Sequence, residues 1–152
     1  MRISVWGMIV LALWSFSAQA KVKVIDGDSL IVDGVEVRLE GIDAPEYHQE
    51  CYDENDKPYP CGDKAYKVLR QMAGDDTACE QKAIDRYHRS VAICNSGGKV
   101  LNEEMVLQGH AVAYTRYTDI YAEAEQTARR AKRGIWQGRF MKPELYRALM
   151  RE

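Results

Sequence analysis

Beyond its first sixteen residues the chain has no long apolar run, which excludes a polytopic membrane protein. It has no basic surplus, with 21 Lys and Arg against 23 Asp and Glu, so it cannot hold a polyanion through global charge. Contact with nucleic acid would have to be local. No Cys-x-x-Cys pair is present, which argues against a four-cysteine zinc site. There is no lysine-bearing phosphate loop, no nucleophile elbow and no zinc-binding pair of histidines. His48, His88 and His110 stand isolated, each more ordinary as a structural or exposed residue than as a catalyst. Internal repeats and low-complexity segments are also missing.

What is present fits one globular domain. The chain has 152 residues, 46% of them apolar and 29% charged, enough to bury a core. Its N-terminus carries Arg2, an apolar stretch from Ile3 to Phe16, and the small-x-small exit Ala18-Gln19-Ala20. That pattern reads as a secretory signal cleaved after Ala20, because the run is short for a membrane span and no basic stop follows it. Cleavage leaves Lys21 to Glu152, 132 residues with a net charge of −3 and Trp136 as their tryptophan. All four cysteines fall in that part, so disulfides are the expectation for an exported chain. Cys79 and Cys94 lie symmetrically about the polar turn Asp85-Arg86-Tyr87-His88, as cross-strand neighbours would. Cys51 and Cys61 then close the loop between them.

Periodicity gives the outline. Val22 and Val24, Ser29 to Val32, and Val35 to Leu39 read as strands, with Asp33-Gly34 as a hairpin turn. In the last of these, Val35, Val37 and Leu39 share one face and Glu36, Arg38 and Glu40 the other. Glu46 to Pro60 reads as loop, and Ala65, Val68, Leu69 and Met72 as the stripe of a helix stopped by Gly74. Two strands, Thr77 to Ala83 and Arg89 to Asn95, flank the turn around Tyr87. A helix from near Asn102 to Gly109 follows, then a third from about Asp119 to Lys132. Short strands with three small helices imply an α+β domain whose strands curl into a small barrel.

The least ordinary local chemistry is acidic: Asp26-Gly27-Asp28, then Asp43-Ala44-Pro45-Glu46. Hard cations take carboxylate, carbonyl and water oxygens, although either cluster alone also suits an ordinary turn. Neither follows the helix–loop–helix calcium spacing. Arg38 and Arg89, taken singly, are unremarkable strand charges.

Together these blocks resemble a known family. Val24-Ile-Asp-Gly-Asp-Ser-Leu30 and Val37-Arg-Leu-Glu-Gly-Ile-Asp-Ala-Pro-Glu46 are similar to the first half of the staphylococcal nuclease (thermonuclease) family. Asp85-Arg-Tyr-His-Arg-Ser-Val-Ala92, Leu101-Asn-Glu-Glu-Met-Val106 and Arg129-Arg-Ala-Lys-Arg-Gly-Ile-Trp136 are similar to the second half, in the same order. The resemblance implies a five-stranded OB-fold β-barrel with three α-helices. Its exported bacterial branch is the nearest match by cysteine placement and by the Trp136 to Phe140 segment.

The resemblance also implies roles. Asp28 and Asp43 fall where the family binds Ca2+, with the backbone carbonyl of Ala44 as a further ligand. Glu46 matches the base that activates water, and Arg38 and Arg89 match the pair that grips the scissile phosphate. Arg86 and Tyr87 match contacts to the neighbouring phosphate, and Tyr114 and Tyr117 are candidates for stacking on bases. The implied activity is a calcium-dependent endonuclease on DNA and RNA, with single strands preferred, little sequence specificity and 3′-phosphate products. The implied protein is a monomer, periplasmic or extracellular, with no membrane contact once mature. Two positions depart from the best-known member: Ala44 replaces a hydroxyl residue and His88 replaces a glycine. The competing readings are a non-catalytic nucleic-acid or protein binding module of the same fold, and a disulfide-held protein braced by calcium.

Overall fold

The computed structural model describes residues 20–116 and 118–150. The expected signal segment up to Gln19, and Tyr117, lie outside the described residues. The chain opens with three strands joined as a meander: β1 (Val22–Val24), β2 (Ser29–Val32) and β3 (Val35–Leu39). Asp33 and Gly34 both take positive φ, 51° and 84°, which is the turn that matches the twist of a two-residue hairpin. Then come β4 (Ile42–Asp43), β5 (Cys51–Tyr52) and β6 (Pro58–Tyr59), followed by α1 (Cys61–Met72). A long hairpin pairs β7 (Ala78–Ile84) with β8 (Ser90–Ser96). The remainder holds β9 (Lys99–Val100), α2 (Leu101–Leu107), β10 (Val112–Ala113), α3 (Ala122–Arg130), a 3-10 turn over Gly134–Gln137, and α4 (Pro143–Leu149).

The main sheet runs β1-β2-β3-β8-β7, with β9 on β8. β3 and β8 pair in parallel, Arg38 opposite Val91, while the other neighbours are antiparallel. The α+β class therefore stands, and five strands, β1-β2-β3-β8-β7, form the main path as expected, but their pairing does not close into a barrel and a fourth helix joins the expected three. The sheet path is open, and among the described residues there are four α-helices. The reason lies at the two edges. β7 is exposed along most of its length, with Glu80, Gln81 and Lys82 in its middle and Cys79 as its contact with the core, so it presents little apolar surface to bury by closing. At the other edge Ala20, just before β1, donates its N–H to Asp75 beyond α1 instead of to β7. The segment read as loop between Glu46 and Pro60 also contains structure, the β5–β6 hairpin.

One face of the sheet is apolar. Leu30, Val37, Leu39, Ala92 and Cys94 pack against Ala65 and Leu69 of α1 and Leu101, Met105 and Val106 of α2. Asn102 is fully buried and satisfied at both ends: its amide donates to the carbonyls of Glu40 and Ala92, and its oxygen accepts from the Cys94 N–H. It thereby fixes α2 to the end of β3 and the middle of β8. A smaller cluster of Cys51, Cys61, Val112 and Ile135 sits beside it under Tyr59, Trp136 and Phe140. Disulfides join Cys51 to Cys61 and Cys79 to Cys94, and the second spans a directly opposed pair in the β7–β8 register.

His110, just after α2, is buried, and desolvation together with the charge of Lys64 lowers it from its ordinary 6.5 to about 4. A histidine kept neutral in the fold costs stability in acid, because the unfolded chain takes up the proton first. The stability tied to this group is complete above pH 6.5 and is lost as the pH falls toward 4, by about 3 kcal/mol. Replacing His110 with Gln is expected to flatten that part of the stability profile. Urea midpoints measured from pH 7 to pH 4 check it; an unchanged slope in the variant would place the acid lability elsewhere.

Candidate active site

The site forms at the ends of β2, β3 and β4. Asp28 immediately precedes β2, and the opposition of Ser29 to Arg38 places Asp28 beside the Arg38 side chain. Asp43 ends β4, which is held by β10 through Val112 opposite Asp43. The chain then turns at Pro45 and presents Glu46. Gly62 at the start of α1 lies under this turn, where a Cβ would overlap the Glu46 carbonyl, so only glycine lets the helix approach so closely.

Arg38 joins the two aspartates. Its Nη1 donates to Asp28 Oδ1 at 3.3 Å and its Nη2 to Asp43 Oδ1 at 3.2 Å. Asp28 is further fixed by Ser29 Oγ and by the Ala44 N–H, which donates to its Oδ2 at 3.0 Å. Asp28 and Asp43 are 4% and 1% exposed, so their charges sit close together in a poorly hydrated place. Burial, aided by Asp28, raises Asp43 above the ordinary carboxylate range in spite of the arginines on it. Asp26 also belongs here: burial and the charge of Asp28 push it up to about 6, and its carboxylate accepts the Asp28 N–H at 3.0 Å.

Two residues at this site carry no local sequence signal. Arg147 of α4 reaches in from the far end of the chain. Its Nη1 donates to Asp43 Oδ1 and to Glu46 Oε1, both at 2.8 Å, and its Nη2 to Asp43 Oδ2 at 3.1 Å. Gln49 is fully buried; its oxygen accepts from the Glu46 N–H, and its amide donates to the Met141 carbonyl at 2.7 Å. It ties the Glu46 turn to the chain entering α4. Only the helix-start pattern Lys142-Pro143-Glu144 marks that element in the sequence, and nothing there points back to residue 46.

The second group of expected site residues stands on the turn between β7 and β8. Asp85 accepts the backbone N–H groups of Tyr87 and Arg89 on one oxygen and Arg89 Nε, at 2.8 Å, on the other. Arg89 also lies 3.9 Å from Glu36, which shares the polar face of β3 with Arg38. Arg86 and Arg89 both sit over the Tyr87 ring, 4.8 and 5.5 Å from its centre. His88 has φ 64°, the left-handed conformation that favours glycine, so the histidine occupies a strained turn position. Among the described residues, no ion pair or hydrogen bond joins Arg89 to Asp28, Asp43 or Glu46. Tyr114 donates its backbone N–H to Gly41 and lies under Arg116, at 5.9 Å, beyond β10.

The donor set around Asp28 and Asp43 is all oxygen, which suits a hard cation and not zinc or copper. Among the described residues no three His, Cys, Asp or Glu side chains form a complete metal cage. The aspartate pair fits an open site instead, one whose remaining ligands would be the Ala44 carbonyl, water and an anion. A mixed sheet carrying buried carboxylates, fork-shaped arginines and a more exposed glutamate defines an α+β domain suited to handling a phosphate group.

The comparisons agree with that class. The model of the family described as staphylococcal nuclease homologues matches residues 36–138, and the chain belongs to that family. It is 40% identical over 120 residues to the succinoglycan biosynthesis protein ExoI of Rhizobium meliloti (strain 1021), covering 75% of this chain and 62% of that protein. It is 33% identical over 123 residues to an uncharacterized endonuclease of Haemophilus influenzae, covering 76% and 64% respectively. A thermonuclease of Staphylococcus hyicus is 28% identical over 127 residues, 76% of this chain and 73% of that one. The chain thus spans under two thirds of the length of the first two relatives.

Proposed function

We propose that the protein is an exported, calcium-dependent endonuclease that hydrolyses phosphodiester bonds of DNA and RNA with little sequence preference and leaves 3′-phosphate ends. The observation that carries this reading is the convergence of Asp28, Arg38, Asp43 and Glu46 in one bonded network at the strand ends. Endonuclease and thermonuclease are also the names of relatives within the family.

In this reading Asp28, Asp43 and the Ala44 carbonyl would hold Ca2+, which would supply positive charge where negative charge builds on the phosphate. Glu46 orients the attacking water and accepts its proton; its side chain is the most exposed carboxylate of the network, 37%, so water reaches it. Arg38 is already aimed by the two aspartates and donates to the phosphate as charge builds on it. Arg89, held by Asp85, approaches from the neighbouring turn and completes the grip when substrate lies across both groups. Arg86 and Tyr87 contact the next phosphate. Tyr114, with Tyr117, stacks on bases, which favours single strands and compensates for the acidic net charge. Residues 1–20 direct export to the periplasm or beyond and are removed, leaving 21–152 as a monomer. Two disulfides suit an oxidising compartment, and no helix among the described residues is long and apolar enough to cross a membrane.

The alternative is a module of the same fold that binds nucleic acid without cutting it. Arg147 on the Glu46 carboxylate is the observation in its favour, since it occupies an oxygen the base needs. A 5′-labelled single-stranded oligonucleotide incubated with the protein in calcium distinguishes them. Shortened products that lengthen with polymerase only after phosphatase treatment support hydrolysis to 3′-phosphates. An intact oligonucleotide retained in a shifted complex supports the binding module.

A further inference from the structure

α4 is thinly attached to the rest of the molecule. Its buried residue is Pro143, while Leu145 and Leu149 face solvent at 53% and 49% exposure instead of packing. Apart from Arg147, its side-chain ion pair among the described residues is a surface one, Glu144 with Arg116 at 2.9 Å, worth little in water. The strong attachment is therefore Arg147 itself, in a bidentate bond to Asp43 and a further bond to Glu46. With Arg38 also on Oδ1, both oxygens of Asp43 are taken. A divalent ion bound through Asp43 would compete with that guanidinium for the same oxygens and be repelled by its charge. Burial works against the charge on Arg147, but its bonds to Asp43 and Glu46 outweigh that and hold it protonated.

We propose that Arg147 is a built-in counter-ion that neutralises Asp43 and Glu46 in the metal-free protein and is displaced, with α4, when a divalent cation binds. The inference rests on the reading of Asp43 as a metal ligand. The C-terminal helix then sets the metal affinity of the site, because whatever free energy Arg147 gains from the carboxylates is subtracted from that of the cation. It also keeps Glu46 engaged until the ion arrives, so base and metal become available together. A guanidinium that stays in place and grips phosphate as a third arginine is the competing arrangement.

Calcium titration calorimetry on the disulfide-bonded protein, with Arg147→Met and Arg147→Lys beside the wild type, separates the two. Arg147→Met is expected to bind calcium about tenfold more tightly, within the ordinary range of such couplings. Arg147→Lys, which keeps the charge but loses the fork, falls between and serves if the Met variant does not fold. Amide exchange of residues 144–149 in the wild type is expected to accelerate when calcium is added. Unchanged or weaker calcium binding in both variants, or slower exchange of α4 with calcium, would overturn displacement. Failure of all three proteins to bind calcium overturns both the displacement and the calcium site. Tighter binding by Arg147→Met without cleavage of any nucleic acid would leave the displacement standing and remove the nuclease.

Discussion

Replacing Glu46 with Gln is expected to lower the rate of DNA cleavage by about 10²- to 10³-fold while leaving substrate affinity within about twofold. Gln keeps the length and shape of the side chain and accepts a hydrogen bond from Arg147, so the turn held by Gln49 and Gly62 is preserved. What it loses is the ability to take a proton from water. The two measurements must be made together. A fall in rate with affinity retained assigns Glu46 to the chemical step. A fall in affinity of the same size would mean that Glu46 shapes the site only, and a rate within tenfold of the wild type would move the proton acceptor elsewhere.

The second large effect is expected at Arg38, and it is double. Arg38→Met removes the cation between two nearly buried aspartates, leaving Asp28 without an arginine and Asp43 with Arg147 alone. Breaking a fully buried pair costs roughly 3–5 kcal/mol; because Arg38 is a quarter exposed, about 2 kcal/mol is expected, or a melting temperature lower by about 8 °C in chelator. Cleavage falls by about 10²-fold or more, since one donor to the phosphate is gone. Arg38→Lys separates the two effects: it restores most of the stability through its charge but not the rate, because an ammonium cannot form the fork. Thermal melts in chelator and initial rates in calcium test this. Full activity in the Lys variant would reduce Arg38 to a structural counter-charge.

Much of this geometry was legible because it is local. Asp33-Gly34 between β-rich runs sets the β2–β3 hairpin, and that hairpin alone brings Arg38 level with Asp28 and Ser29. The symmetric spacing of Cys79 and Cys94 about the Tyr87 turn matches their direct opposition in the sheet. Helical stripes such as Ala65, Val68, Leu69 and Met72 locate α1, because an amphipathic face facing a sheet leaves a period in the chain. What was not legible is what depends on distant partners. Whether β7 closes a barrel is decided at sheet edges, not within any strand. α4 has only seven residues and leaves its leucines in solvent, so it has no apolar stripe to detect. Arg147 lies 101 residues from Glu46, and no pattern in the intervening sequence links the two. The two-residue pairings of β4 with β10 and β5 with β6 are likewise too short to carry a period.

We infer that the carboxylate–arginine network at the strand ends cuts phosphodiester bonds with a divalent cation. Its most direct test is digestion of heat-denatured DNA and of RNA by the oxidised protein, in calcium and in chelator. Both substrates are expected to be shortened in calcium and to stay intact in chelator. Cleavage that persists undiminished in chelator would contradict the metal role of Asp28 and Asp43, and intact substrates in calcium would contradict the nuclease itself.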